Sequence, residues 1–204
     1  MNYTTFDIAT MPEVRSNDVT LIQRDGLWAG DDYIGGRTIA LSLQVQAVDV
    51  EEFNAANNLI QRAFTPGVSG ESKLAFRIPG MANGREAYVN VRTRRRSAPL
   101  DASFARLSCA YEVELFATDP YIYAEQETAV TLRKGVPALV PVDGSLPAEV
   151  KWTMSGTSEP AIRYAATGDI VISPLTPGPN FLVLDDNGTN AAATARTSFR
   201  DRWV

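Results

Sequence analysis

The clearest pattern in the chain is a strict alternation of apolar and polar or small residues over residues 106–115. The apolar members are Leu107, Cys109, Tyr111, Val113 and Leu115. A period of two is typical of a β-strand that buries one face and exposes the other. The strand is predicted to end before Pro120, because proline has no N–H to donate to a ladder.

Other segments of the first 120 residues also have patterns that predict secondary structure. Residues 38–46 repeat the alternation, and strands are also predicted at 19–23, 73–78 and 86–96. The last two are joined across Asn83-Gly84, a pair that tolerates positive φ and favours a hairpin. Residues 49–64 have helical spacing instead, and Pro66-Gly67 ends that helix. The first module is therefore predicted to be a sheet covered by one helix.

The helix start has a specific signature. Asp49 is the predicted cap, and Glu52 stands at the position that bonds back to the backbone before the helix. The apolar stripe is expected to cover a sheet and not a membrane, because the opposite face is acidic and amide-rich.

Beyond residue 120 the strands become shorter and turn residues more frequent. Strands are predicted at 128–132, 150–155, 161–164, 169–173, 181–184 and 192–199. Many short strands with turns such as Asp143-Gly144 between them indicate a small sandwich or barrel. The chain is thus predicted to be mainly β with one α-helix, in two modules at 1–120 and 121–204. Asp119, Pro120, Tyr121 and Tyr123 form the predicted interdomain hinge.

Composition restricts the function further. The 204 residues carry a net charge of -5 and contain no histidine and one cysteine. An acidic chain is unlike a dedicated duplex-binding protein, and the lack of histidine removes the commonest general base and zinc ligand. Cys109 lies on an apolar strand face and is interpreted as a small core residue. No catalytic residue, metal site or cofactor is predicted.

The sequence shows no pattern typical of a secretory signal or a membrane-spanning segment. Residues 1–18 lack the basic patch and apolar run of a secretory signal. No apolar segment approaches the roughly 20 residues that cross a bilayer. Folding in a cytosol without membrane insertion is the expectation.

Charged and aromatic residues give the candidate contact sites. Arg92, Arg94 and Arg96 are predicted to share one strand face, either as a solvated surface or as a contact with a neighbouring subunit; a phosphate-binding role is a less favoured alternative. Trp152 alternates with apolar neighbours and is a core candidate. Trp28 lies in a glycine-rich loop and Trp203 near the chain end, so both are candidates for a partner surface.

The order of these features resembles the distal tail proteins of long-tailed, siphovirus-type bacteriophages. The matching pieces are Asp25-Gly26, Gly36-Arg37 before the strand at 38–46, the helix at 49–64, Asp119-Pro120-Tyr121-Ile122-Tyr123, Pro177-Gly178-Pro179-Asn180 and the closing Phe199-Arg200-Asp201-Arg202-Trp203. The resemblance spans nearly the whole chain. It implies a β-sandwich-like ring, or belt, module followed by a small galectin-like, jelly-roll module, in a short form of the family.

The resemblance also implies a structural function. Six copies are expected to form a ring at the end of the tail tube, in the virion tail tip, after assembly in the host cytoplasm. The implied partners are further copies of the chain, the tail tube protein and a tail-tip hub protein, while DNA passes through the lumen without specific binding. A ring has two different contact surfaces per subunit, and Arg92, Arg94 and Arg96 are predicted to face Asp49, Glu51 and Glu52 of the neighbour.

Two other functions stay open at this point. One is another ring subunit of a phage tail, of the tube or terminator type, although such proteins are expected to stop after one module. The other is a carbohydrate-binding receptor module that uses Trp28 or Trp203. An enzyme is the least favoured class, because no nucleophile motif is present.

Overall fold

The computed structural model describes residues 2–67, 70–171 and 173–204. The described residues are mainly β-strand with one α-helix, which confirms the predicted fold class. The chain folds into two compact units, each made of residues that pack mainly against one another. The first contains the chain up to Leu74 together with Val89–Pro120, and the second contains Ala75–Tyr88 and Tyr121–Val204. The predicted modules had placed Ala75–Tyr88 in the first.

The first unit contains most of the long elements. In chain order these are β1 (Asn2–Asp7), β2 (Val14–Ser16), β3 (Val19–Thr20), β4 (Leu27–Trp28), β5 (Asp32–Ile34), β6 (Arg37–Gln46), α1 (Val50–Ala63), β7 (Ser72–Phe76), β8 (Ala87–Ser97) and β9 (Ser108–Ala117). β7 and β8 cross the boundary between the units. A short 3-10 turn, Phe104–Arg106, precedes β9.

The main sheet of the first unit has the order β1-β6-β9-β8, with antiparallel neighbours, and β7 also pairs with β8. β6 and β9 pair over ten residues each, from Arg37 opposite Ala117 to Gln46 opposite Ser108. The predicted alternation of β9 is confirmed, since its odd-numbered residues from Cys109 to Ala117 are buried. Helix α1 covers this buried face through Phe53 and Ile60.

The helix begins as predicted. The Asp49 carboxylate accepts the Glu52 N–H at 2.8 Å, and the Glu52 carboxylate accepts the Val48 N–H at 3.1 Å. The two reciprocal bonds satisfy donors that the first helical turn leaves without partners. Within the helix, Phe53 and Ile60 are buried, whereas the apolar residues Val50 and Leu59 are exposed.

A two-stranded ribbon, here called the β-arm, comprises residues 14–34. Its outer half pairs β3 with β4 and its inner half pairs β2 with β5. The predicted strand at 19–23 is shorter than expected, because Gln23 adopts a positive φ in the turn that follows Thr20. β4 and β5 had no sequence signal strong enough to predict them.

Arg37 is the largest fully buried side chain among the described residues, at 1% exposure. Its Nε donates to the Pro120 carbonyl at 2.8 Å, and its Nη1 donates to the carbonyls of Ile8 at 2.6 Å and Thr10 at 2.8 Å. Burial lowers the pKa of the guanidinium, while the charge of Asp7 acts in the opposite direction. One cation at the start of β6 therefore bonds to two other backbone segments of the first unit, residues 8–10 and Pro120.

Replacing Arg37 with methionine tests this role. The three carbonyls lose their charged donor in a buried site, so we expect the first unit to lose about 3 kcal/mol or more of stability. Amide hydrogen exchange should accelerate in β6 and β9 and stay unchanged in the second unit. The exposed Arg95→Met variant is the control, with an expected effect within about 0.5 kcal/mol. Equal exchange in both variants would contradict the assignment.

The second unit contains the shorter strands. They are β10 (Ile122–Ala124), β11 (Thr128–Arg133), β12 (Ala138–Val142), β13 (Lys151–Ser155), β14 (Pro160–Tyr164), β15 (Gly178–Asp186), β16 (Thr194–Phe199) and β17 (Arg202–Trp203). The beginning of β8 pairs with β10, and β10 pairs with β17. This pairing explains why Ala75–Tyr88 belongs to the second unit. Within that segment, Asn83 and Gly84 adopt the positive φ that their sequence predicted.

Two three-stranded sheets form the rest of the second unit, with the orders β11-β16-β13 and β12-β15-β14. Their apolar residues share one buried cluster that includes Leu132, Val140, Leu182, Leu184 and Phe199. Trp152 packs against this cluster as a half-buried residue, in agreement with its prediction as a core residue.

The predicted strand at 169–173 is not observed as a strand. In its described part, the Val171 N–H donates to the Ile162 carbonyl at 2.8 Å and the Asp169 carbonyl accepts the Tyr164 N–H at 2.9 Å. These bonds place the segment beside β14 without a longer ladder. Ile172 lies outside the described residues.

Asp201 anchors the end of the second unit. Its buried carboxylate accepts the N–H groups of Asp143 at 2.9 Å and Gly144 at 3.2 Å, and it pairs with Arg85 Nη1 at 3.2 Å. A Cβ on Gly144 would lie 2.5 Å from the Arg202 carbonyl oxygen, so the predicted Asp143-Gly144 turn needs glycine for this close approach.

Asp186 bonds in a similar way to another part of this unit. Its Oδ1 accepts the N–H groups of Ser158 and Glu159, each at 2.9 Å. The Ser158 bond is the main cause that lowers the pKa of Asp186, and the charge of Lys134, 3.9 Å from Oδ2, adds to it.

The lowered pKa of Asp186 predicts a pH dependence. A carboxylate whose folded pKa is depressed stabilises the fold above its unfolded pKa, and this contribution is lost as the pH falls through the folded pKa. We therefore expect thermal unfolding of the Asp186→Asn variant to depend less on pH below about 4 than that of the wild type. Asp185→Asn, an exposed neighbour, is the control and should keep the wild-type profile. Parallel curves for the wild type and Asp186→Asn would contradict the prediction.

Candidate interaction surfaces

The arginine run lies in β8, where a β-bulge interrupts its alternation. The register between β8 and β9 shifts between Thr93 and Arg95, so Arg94 is an extra residue. Arg92 precedes the bulge and Arg96 follows it. The predicted arrangement of Arg92, Arg94 and Arg96 on one face is therefore wrong for Arg96, because one inserted residue reverses the side on which later residues lie.

Arg96 lies opposite Val113, on the sheet face that α1 covers. Its Nη1 donates to the carbonyl of Gln61 at 2.7 Å. Gln61 is in the last turn of α1, where carbonyl groups lack helical partners and a cation is favourable. Arg96 therefore stabilises the end of the helix, a role that its position in the arginine run did not indicate.

Arg92 and Arg94 instead surround Phe116 on the opposite face of the sheet. The Arg94 guanidinium carbon lies 4.2 Å from the centre of the Phe116 ring, and that of Arg92 lies 5.6 Å away. Cation–π contacts at such exposed sites are worth about 0.5–1 kcal/mol each. Arg95 lies opposite Glu114 on the same face. Arg92, Arg94 and Arg95 together form what we call the arginine surface.

Gly36 leaves space for the Phe116 ring beside Arg92 and Arg94. A Cβ at Gly36 would be 2.3 Å from Phe116 Cζ and 2.9 Å from the Ala117 carbonyl oxygen. Neither distance is sterically allowed, so any side chain here displaces the ring. The Gly36-Arg37 pair, which carried part of the sequence resemblance, thus serves both faces of the sheet.

The predicted acidic contact lies at the start of α1. Asp49 and Glu52 are exposed, but their carboxylates already form the two bonds of the helix cap. Glu51 is exposed as well and forms no such bond. Of the three acidic residues, Glu51 is therefore the one whose carboxylate remains available to a partner.

A cleft of 640 Å³ lies beside α1, and its lining includes Phe53, Asn57, Arg96, Phe104 and Tyr111. The Tyr111 hydroxyl donates to Asn57 Oδ1 at 2.6 Å, and burial raises the pKa of this phenol. The cleft therefore offers neutral hydrogen-bonding groups and one arginine, and its tyrosine stays protonated.

Cys109 is buried at 1% exposure, which confirms its interpretation as a core residue. Burial raises the pKa of the thiol, so the reactive thiolate is disfavoured. Across the described residues, no group of three or more His, Cys, Asp or Glu side chains is placed to hold a metal ion. In the same residues, no helix combines the length and apolar character that a membrane span needs.

The hinge residues divide between the units. Pro120 ends the first unit, with its carbonyl bonded to Arg37. Tyr121 begins the second, where the guanidinium of Arg202 lies 5.2 Å from its ring centre. Tyr123 stacks on Tyr88 with ring centres 5.7 Å apart. Each side of the predicted hinge is therefore fixed within its own unit; hinge motion itself, including any part played by Asp119, stays a prediction.

The two candidate tryptophans differ in environment. Trp28 is 68% exposed in the β-arm, opposite Val19. Trp203 is half-buried and pairs with Ile122 in the β10–β17 ladder. Trp28 thus has the exposure that a partner surface requires, whereas Trp203 belongs mainly to the second unit's own structure.

The chain is similar in structure, but not in sequence, to known proteins. No family model matches the sequence, and no curated protein matches it. Among solved structures, the chain is similar to the Dit protein of bacteriophage SPP1, with a TM-score of 0.67 and 9% sequence identity, over 100% of this chain and 93% of that protein. That protein has been described as a paradigm of the hub adsorption apparatus in phages that infect Gram-positive bacteria. The chain therefore has a Dit-like, β-rich fold.

The contact between Gly36 and Phe116 gives a stability prediction. Gly36→Ala forces the ring and its two arginines to move, and we expect a loss of about 1–3 kcal/mol in thermal unfolding. Gly67→Ala is the matched control, because nothing lies within 4 Å of a Cβ there and its φ is not positive. Adding Phe116→Ala to Gly36→Ala should restore part of the loss. A loss that is simply additive in the double variant would show that the two residues do not interact.

Proposed function

We propose that the chain is a structural subunit of the tail hub of a long-tailed bacteriophage. Six copies form a ring at the distal end of the tail tube, in the virion tail tip. The ring joins the tail tube protein to tail-tip and host-recognition proteins, and DNA passes through its lumen without sequence-specific contacts. The observation that carries this proposal is the Dit-like fold over the whole chain.

The chemistry of the described residues supports a structural role over a catalytic one. The chain has no histidine, its single thiol is buried, and the cleft beside α1 presents neutral amides, one arginine and a protonated tyrosine. The net charge of -5 favours passage of DNA over tight binding, since dedicated duplex-binding proteins are usually basic.

A ring of identical subunits needs two different surfaces on each copy. The arginine surface is one such surface, and Glu51 at the start of α1 is the part of the acidic stretch that can face it. The contact of Arg92 and Arg94 with Asp49, Glu51 and Glu52 of a neighbouring copy stays a prediction. Arg96 is no longer part of it, because Arg96 lies on the other face of the sheet and bonds to Gln61. The second unit, in this proposal, is the galectin-like module that receives tail-tip partners.

The mass of the purified protein in solution tests the ring. Light scattering across a concentration series is expected to approach six times the 22.2 kDa subunit mass. Because charged side chains line the proposed contact, rising salt should shift the population towards smaller species. A single-subunit mass at high concentration and low salt would contradict self-assembly of the chain into a ring.

A further inference from the structure

The β-arm contains six exposed large apolar side chains within 21 residues. Ile22 is 88% exposed and Trp28 is 68% exposed. The other exposed large apolar side chains of the arm are Val14, Val19, Leu27 and Tyr33. Leu27 and Trp28 are successive residues of β4 and lie on opposite faces, so both faces of the ribbon expose apolar side chains. Leaving these side chains in water is unfavourable, and their concentration in one segment marks an interaction site.

The arm is nevertheless built as an ordered ribbon. Asp18 Oδ1 accepts the Gly30 N–H at 2.9 Å, and the Ser16 hydroxyl donates to the Asp32 carboxylate. Gly30 approaches Asn17 so closely that a Cβ there would be 2.1 Å from the Asn17 carbonyl oxygen. An isolated two-stranded ribbon is marginal in water, and these bonds and the close contact of Gly30 help to hold its shape.

The charge of the arm selects the kind of partner. Residues 14–34 contain four aspartates and two arginines. Asp18 and Asp32 bond within the arm, whereas Asp25 and Asp31 have no ion pair among the described residues. An acidic ribbon with exposed apolar side chains fits a cationic surface that also contains an aromatic ring.

The first unit itself carries such a surface. Arg92 and Arg94 stand beside Phe116 and have no carboxylate within 4.0 Å among the described residues. The arm and the arginine surface are thus two complementary surfaces on one chain, and within the chain the arm remains exposed.

We infer that the β-arm of one copy packs on the arginine surface of a second copy, with Trp28 and Ile22 near Phe116 and with Asp25 and Asp31 near Arg92 and Arg94. The contact is head-to-tail, so each copy donates its arm to one neighbour and accepts the arm of another. This inference rests on the proposed ring and names the contact that closes it. In this inference the arm, and not the start of α1 as the sequence predicted, supplies the carboxylates that face the arginine surface.

Photo-crosslinking of the full chain tests where the arm binds. Trp28 is replaced with p-benzoylphenylalanine, and this variant is mixed with an isotope-labelled wild-type copy before irradiation. We expect adducts between copies on Arg92–Arg95, on Phe116 or on Thr38, which lies opposite Phe116 in the ladder. The same photoreactive residue at Val48, which is exposed outside the arm, is the control and should give no adducts there.

A charge exchange tests the same contact energetically. Asp31→Lys is expected to raise the apparent dissociation constant between copies at least about ten-fold, as is Arg94→Glu, whereas the two together should recover most of the loss. Glu127→Lys is the matched control, because it places the same new charge at an exposed position of the second unit. Glu51→Lys tests the alternative acidic contact at the start of α1. If Glu51→Lys weakens assembly and Asp31→Lys does not, the arm inference is wrong and the earlier acidic contact is supported.

The two proposals fail in different ways. A wild-type mass of six copies with adducts only within one copy, or elsewhere on a second copy, overturns the arm contact and leaves the ring in place. A single-subunit mass with no adducts between copies overturns both. Adducts on the arginine surface in an assembly of another size support the arm contact and overturn the hexameric ring.

Discussion

The buried guanidinium of Arg37 is the interaction on which the first unit depends. Removing a charge from water is costly, and the cost is offset only where the hydrogen bonds of the charge are made. Here Nη1 bonds to Ile8 and Thr10 before the β-arm and Nε bonds to Pro120 at the end of the sheet, while the buried Nη2 has no hydrogen-bond partner among the described residues. The same group therefore holds the root of the arm and the end of β9, and Gly36 beside it admits Phe116 on the opposite face.

The second unit follows the same physical rule with the opposite sign of charge. The carboxylate of Asp201 accepts two backbone N–H groups and pairs with Arg85, and Asp186 accepts two more. Each carboxylate joins chain segments that are distant in sequence. The apolar cluster beside them is non-directional and does not by itself specify which segments pair. Hydrophobic burial thus drives the collapse of each unit, while a few buried charges decide which segments meet.

The features that bear on function lie on surfaces and not in a catalytic cleft. A bulge in β8 places Arg96 on one face of the sheet, where it bonds to the last turn of α1. Arg92 and Arg94 lie on the other, exposed face around Phe116. The β-arm is ordered, apolar and acidic, with no cover of its own. A subunit with an arginine-rich face and a complementary ribbon is suited to an assembly of identical copies, the class of role that the proposed tail hub requires.

The sequence by itself determined the β-rich class, the strands β6 and β9, and helix α1 with its cap, because each of these is specified by a local period or a local hydrogen bond. It also indicated that Trp28 is exposed and that Cys109 is buried. The tertiary structure alone decided the sides on which Arg94 and Arg96 lie, the burial of Arg37 and Asp201, and the membership of Ala75–Tyr88 in the second unit. Bulges, buried charges and strand partners depend on residues far apart in the chain, and no local pattern records those contacts.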